Sequence, residues 1–301
     1  MKVRKIDTFS GHRDCVYTLI SDSSGSSFYS AGGDGLVVKW DMTKPDLGDL
    51  VARIGSSVYA MASDPATGLL WVGQNYEGIQ LIDPVQKKVV ASMKISAAPI
   101  FDIKIWRDKA LVALGDGVIV VIDIPAFAIQ KYLKASPKSV RTLAIRETEA
   151  ELAAGYSDHS VGIFDLNTFS LKTRFHAHTN SVFAVGYSPD ERYLVTGGRD
   201  AHLKVWDATA QYAPVHDIPA HMFAINHVAF RADGAFLATA SMDKSIKIWQ
   251  ADTFRLVKVV DRARHAGHGT SINKVLWLTE GDWLVSGSDD RTISVWELQE
   301  E

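Results

Sequence analysis

An aspartate six residues before an aromatic recurs along this chain, and the recurrence limits what the chain can fold into. Asp34 precedes Trp40 at this interval, as Asp158 does Phe164, Asp200 Trp206, Asp243 Trp249 and Asp290 Trp296. The segments VGQNYEGIQLID (72–83) and VALGDGVIVVID (112–123) repeat the surrounding pattern, with Ile82 and Ile122 at the aromatic position. The seven anchors lie 42, 40, 42, 42, 43 and 47 residues apart. A period of this size marks a repeat architecture, in which each unit buries its apolar face only by stacking on the next.

Within a unit such as SVFAVGYSPDERYLVTGGRDAHLKVWD (181–207), apolar residues alternate over short β-rich runs broken by turns at Ser188-Pro189-Asp190 and Gly197-Gly198. Three strands precede each anchor. A fourth run follows, for example LVARI (50–54), KVVASM (88–93), LKTRF (171–175) and RLVKVV (255–260). Four short strands per unit predict an all-β, seven-bladed propeller of four-stranded antiparallel blades, with residues 1–301 as one domain. The seventh unit lacks a fourth run, and KVRKIDTF (2–9) is strand-like without a blade of its own. The N-terminal strand is therefore expected to complete the last blade and cover its open edge.

In these features the chain resembles the WD-repeat (WD40) propeller family over nearly its whole length. Four units carry the family's set of His, Ser or Thr, Asp and Trp. These are His12, Ser30, Asp34 and Trp40; His178, Thr196, Asp200 and Trp206; His221, Thr239, Asp243 and Trp249; and His268, Ser286, Asp290 and Trp296. A buried carboxylate needs donors, and the expected wiring has the His ring and the hydroxyl serving it while the indole N–H serves the hydroxyl. Residues 50–165 form a divergent sector: Tyr76 replaces the second Asp, the third unit keeps only Asp116, and the fourth keeps Asp158 with Phe164. Two readings of it stand, tighter apolar packing in place of the hydrogen bonds, or a partner-binding side.

Composition narrows the function. With 47% hydrophobic and 22% charged residues the chain can bury a large core, and a net charge of -3 lacks the basic excess that nucleic acid requires. No apolar run suits a signal peptide or a membrane span, so a cytoplasmic protein with no membrane partner is expected. Cys15, the single cysteine, has no internal disulfide partner; Arg13 nearby gives slight support for a reactive thiol. The pairs His176/His178 and His265/His268 invite a metal reading, but tetrads account for His178 and His268, and zinc needs three or four convergent ligands. Trp71, Trp106, Trp277 and Trp283 read as packing residues, and the turn glycines Gly32-Gly33 and Gly197-Gly198 precede no helix that would bind phosphate. No metal, cofactor or catalytic motif is expected.

The resemblance implies that partners dock on the face formed by the loops entering each blade's first strand. Counting three and five residues past the tetrad His, and one before the tetrad Asp, with the second blade placed by its matching SSVYAM run and the fourth without a His, assigns Cys15, Tyr17 and Gly33; Ser57, Tyr59 and Asn75; Pro99, Phe101 and Gly115; Ser139, Arg141 and Ser157; Ser181, Phe183 and Arg199; Ala224, Asn226 and Met242; and Ser271, Asn273 and Asp289. The expected contact ring comprises Tyr17, Tyr59, Phe101, Arg141, Phe183, Arg199, Asn226, Met242, Asn273 and Asp289, a mixture of aromatics and arginine typical of interface hot spots. The segment ARHAGHG (263–269), with Arg262 and Arg264, is expected to add a basic loop to the same face. The function expected is a monomeric, non-catalytic scaffold for partner proteins or for peptides bearing apolar residues and an acidic one. The alternative is an enzyme or small-ligand or metal binder with its site in the central channel.

Overall fold

Runs of Val, Ile, Leu and aromatic residues separated by Gly, Asp and Ser turns favour short antiparallel strands, and the computed structural model forms seven four-stranded sheets from them. It describes residues 1–22, 25–44, 47–280 and 282–299. The chain is a seven-bladed β-propeller, and six blades take their strands in sequence order. Blade five is typical: Val182–Tyr187 innermost, then Tyr193–Gly198, His202–Asp207 and Ala213–Pro219 outermost. In the seventh sheet the strand Lys2–Ser10 lies outermost, antiparallel to Thr292–Gln299, with Val3 opposite Leu298 and Phe9 opposite Ile293. The expected closure is thus present.

All seven anchors are buried on the third strands: Trp40, Ile82, Ile122, Phe164, Trp206, Trp249 and Trp296. They belong to apolar clusters that cross blade boundaries. Trp106 and Leu111 of blade three, for example, pack with Leu143, Leu152 and Phe164 of blade four. Trp277 of blade seven also donates its indole N–H to Ala229 O of blade six at 3.0 Å. Trp71, Trp106 and Trp277 are buried, and Trp283 is half-buried.

The innermost strands share one irregularity. In six of the seven, a β-bulge leaves one residue out of the ladder: Tyr17, Phe101, Arg141, Phe183, Asn226 and Asn273. In blade two the strand is only Met61–Ser63, and the matching residue, Tyr59, precedes it. A bulge frees a side chain from the strict alternation of the pleat and re-aims it. Here that happens at one height around the channel.

Candidate functional site

Six of the ten predicted contact residues are bulge residues, and with Tyr59 they line one cavity of about 470 Å³ at the mouth of the channel. From blade one to blade five they form a continuous arc. The Tyr17 and Tyr59 rings meet edge to face at 4.9 Å, and Tyr59 stacks on Phe101 at 5.9 Å with planes 13° apart. The Arg141 guanidinium then lies 3.9 Å from the Phe101 centroid and 5.0 Å from that of Phe183. Ring faces attract a guanidinium through their quadrupole but leave its hydrogen-bonding edge open. Arg141 has no carboxylate partner among the described residues.

The other predicted residues divide. Asn226 and Asn273 line the cavity, yet their amide N–H groups hold neighbouring blades: Asn226 donates to Ser271 Oγ at 3.0 Å and Ile272 O at 2.9 Å, and Asn273 donates to Val16 O at 3.0 Å and Asp289 at 2.7 Å. Arg199, Met242 and Asp289 lie outside the cavity lining. Arg199 and Met242 are exposed on the surface beyond it. Met242 N–H donates to Ala224 O, which sets its turn beside Met222 and Phe223, two further exposed apolar side chains.

Sequence reading missed the residues just behind the bulges. Asp102, Thr142, His227 and Lys274 each follow a bulge residue and line the deeper cavity, because the bulge brings two consecutive side chains to the channel. Asp102 accepts from the backbone N–H of Ile103 and Leu143, at 2.9 and 2.8 Å, and Lys104 Nζ lies 3.4 Å from it. Lys274 has no hydrogen-bond or ion-pair partner among the described residues. Burial, aided by Lys104 and opposed by Asp102, brings its ammonium down to about 8. Burial, with Lys274 and Lys104 nearby, likewise holds His227 well below the usual imidazole range and therefore neutral. Tyr76 is a second omission. It stands where an Asp would, takes a left-handed backbone (φ 68°) that is uncommon for a tyrosine, and exposes 59% of its surface at the cavity.

The four tetrads form, with one change of wiring. His178 Nδ1 contacts Asp200 at 2.9 Å, while its Nε2 contacts Thr196 Oγ1 at 2.8 Å, and Trp206 donates to that oxygen at 3.0 Å. The hydroxyl thus bridges indole and imidazole and does not serve the carboxylate as expected; the other three tetrads repeat the arrangement. Asp200 is held far below the usual carboxylate range. Burial opposes this, but the His178 ring and the backbone N–H groups of Thr179 and His202 outweigh it.

Blade four corrects the expectation of apolar substitution. Asp158 accepts from Ser136, Ser160 and Arg174, with Ser136 in the place of the histidine. The segment 263–269 is part of the loop entering blade seven's first strand, as expected, but it does not line the channel cavity. The short helix Arg262–His265 leans on the outer strand Leu256–Val260, Lys5 of the N-terminal strand donates to Ala266 O at 2.8 Å, and Arg264 pairs with Asp261 at 2.6 Å. This basic loop belongs to the outer rim between blades six and seven. Cys15 is a poor candidate for a thiolate, since burial, with Asp289 beside it, pushes its thiol up to about 11. Among the described residues no three His, Cys, Asp or Glu side chains converge as a metal ion would need.

The chain belongs to the WD40 family: the model described as "WD domain, G-beta repeat" matches residues 3–41, 169–207, 212–250 and 261–297, the four units with full tetrads. Its curated relatives include the Periodic tryptophan protein 2 homolog of Mus musculus, 23% identical over 67% of this chain, and Periodic tryptophan protein 2 of Saccharomyces cerevisiae, 24% identical over 68%. Actin-interacting protein 1 of Drosophila melanogaster is 23% identical over 63% of this chain. The chain spans 24%, 21% and 32% of the length of these three relatives, respectively. Among solved structures, the WD40 β-propeller domain of Doa1 superposes with a TM-score of 0.88 at 15% identity, covering 99% of this chain and 98% of that one.

Proposed function

We propose that this propeller is a non-catalytic protein-interaction module whose channel-mouth face seats a segment of a partner protein. The observation that carries this reading is the arc of Tyr17, Tyr59, Phe101, Arg141 and Phe183. All five side chains are half-buried, packed on one another, and contributed by five successive blades. Such a surface presents large rigid apolar area whose ordering cost has already been met by folding. The exposed Met222, Phe223 and Met242 extend apolar surface along blade six, and Arg199 of blade five offers an exposed charge. Membership of a repeat family whose relatives include an actin-interacting protein agrees with a scaffold role.

An enzyme built in the channel is the second reading. Asp102, His227 and Lys274 favour it as polar groups at depth. Against it, Asp102 is the one carboxylate among the described cavity-lining residues, and backbone N–H groups engage both its oxygens.

The test is affinity purification with wild type, with Tyr59→Ala/Arg199→Glu, and with His178→Ala as a control that lies away from the arc. Partners retained by the control and lost by the double variant support this surface. Identical partner sets for wild type and the double variant reject it.

A further inference from the structure

Among the described residues, two cations line the channel cavity, Arg141 and Lys274, against one carboxylate. Arg141 of blade four has its faces covered by Phe101 and Phe183 and its edge free, and Lys274 of blade seven lines the same cavity without a partner among the described residues. That carboxylate, Asp102, is already engaged by two backbone N–H groups and by Lys104. His227, facing the same cavity, is neutral and adds no charge. A cation removed from water without a counter-ion is costly, and a carboxylate arriving with a ligand relieves that cost with charge-assisted hydrogen bonds.

We propose that the channel mouth is a socket for a single carboxylate, an acidic side chain or a C-terminus of the docked segment, bound by Arg141 and Lys274. This rests on the docking reading above and adds to it the chemistry of the anchoring group. A carboxylate suits the donors better than a phosphate monoester. The latter brings three acceptor oxygens and more charge, whereas the asparagine N–H groups nearest to hand for additional oxygens hold blades six, seven and one together. The apolar neighbours of the acidic group would lie against Tyr59 and Tyr17.

The probe is a library of random peptides, displayed once with free and once with amidated C-termini, and selected on the intact wild-type chain. The selected peptides are then titrated against Tyr59→Ala, Lys274→Met and Lys274→Arg, each checked for a cooperative melting transition. The expected peptides lose affinity with Tyr59→Ala and share one Asp or Glu, or need the free C-terminus. Their affinity falls at least about tenfold with Lys274→Met or with loss of the carboxylate. The two losses do not add when combined, and Lys274→Arg recovers part of the affinity. Peptides sensitive to Tyr59→Ala but lacking a carboxylate, or indifferent to Lys274→Met, overturn the socket and leave the docking face standing. Failure to select any peptide sensitive to Tyr59→Ala overturns both.

Discussion

Thr196 Oγ1 meets His178 Nε2 at 2.8 Å, and through this contact the tetrad of blade five runs in a line from indole to hydroxyl to imidazole to carboxylate. The same order holds in blades one, six and seven, where serine or threonine fills the hydroxyl position. Thr196→Ser should therefore be near neutral. Thr196→Val keeps the shape but strands the Trp206 N–H and the His178 Nε2, at a cost of about 1–3 kcal/mol per group. His178→Ala should also lower the melting temperature without altering surface binding. Thermal denaturation of the three variants is the measurement, and an unchanged transition for Thr196→Val contradicts the relay.

Acid should loosen the same arc of blades. Asp200, Asp243 and Asp290 all have folded-state values held below the ordinary carboxylate, despite burial, by the rings of His178, His221 and His268 and by nearby N–H or O–H donors. Their contribution to stability is present above about pH 4 and is lost as pH falls toward their folded values. His221, lowered by burial against the pull of Asp243, adds a loss that begins below about pH 6.5. Urea denaturation should show a stability curve falling from about pH 6.5 downward, and Asp243→Asn, less stable at neutral pH, should lose the part of the fall below about pH 4 that Asp243 contributes.

Lys274 acts on the alkaline side. Its folded value of about 8, lowered first by burial, lies below the ordinary ~10.4 of an exposed lysine. The unfolded chain therefore holds more protons between these values. The penalty is present in full below about pH 8 and disappears as pH rises toward ~10.4. Wild type should accordingly gain stability relative to Lys274→Met over that interval. The comparison cancels the tyrosines and Cys15, which are common to both proteins. A flat difference curve would show that the ammonium is well solvated.

Removal of residues 1–9 should yield oligomeric or insoluble protein. Lys2–Ser10 is the outer strand against Thr292–Gln299, and without it that strand presents unpaired backbone groups to other molecules. Size-exclusion chromatography decides the matter, and a soluble monomer would contradict it.

The blades and the four full tetrads were legible because their spacing does not vary: 18 residues from His to hydroxyl, 10 from hydroxyl to Trp, and 22 from His to Asp in each. Counting from the histidines also reached Tyr17 and Phe183, and matching the repeats reached Tyr59, Phe101 and Arg141 between them. It stopped short of Asp102, His227 and Lys274, since a period-two reading sends the next residue to the opposite face and only the bulge brings it inward. Arg174 was hidden for another reason: it reaches Asp158 from the outer strand, a partnership absent from the tetrad pattern.

The recurring bulge also separates two demands that usually compete in a sheet. Because Tyr17, Phe101, Arg141 and Phe183 stand outside the ladder register, new side chains at these four sites leave strand pairing and the inter-blade clusters largely undisturbed. Asn226 and Asn273, also bulge residues, are instead tied to neighbouring blades. One arc of the disc is thus free to acquire new specificities by substitution, while the opposite arc is committed to keeping the ring shut.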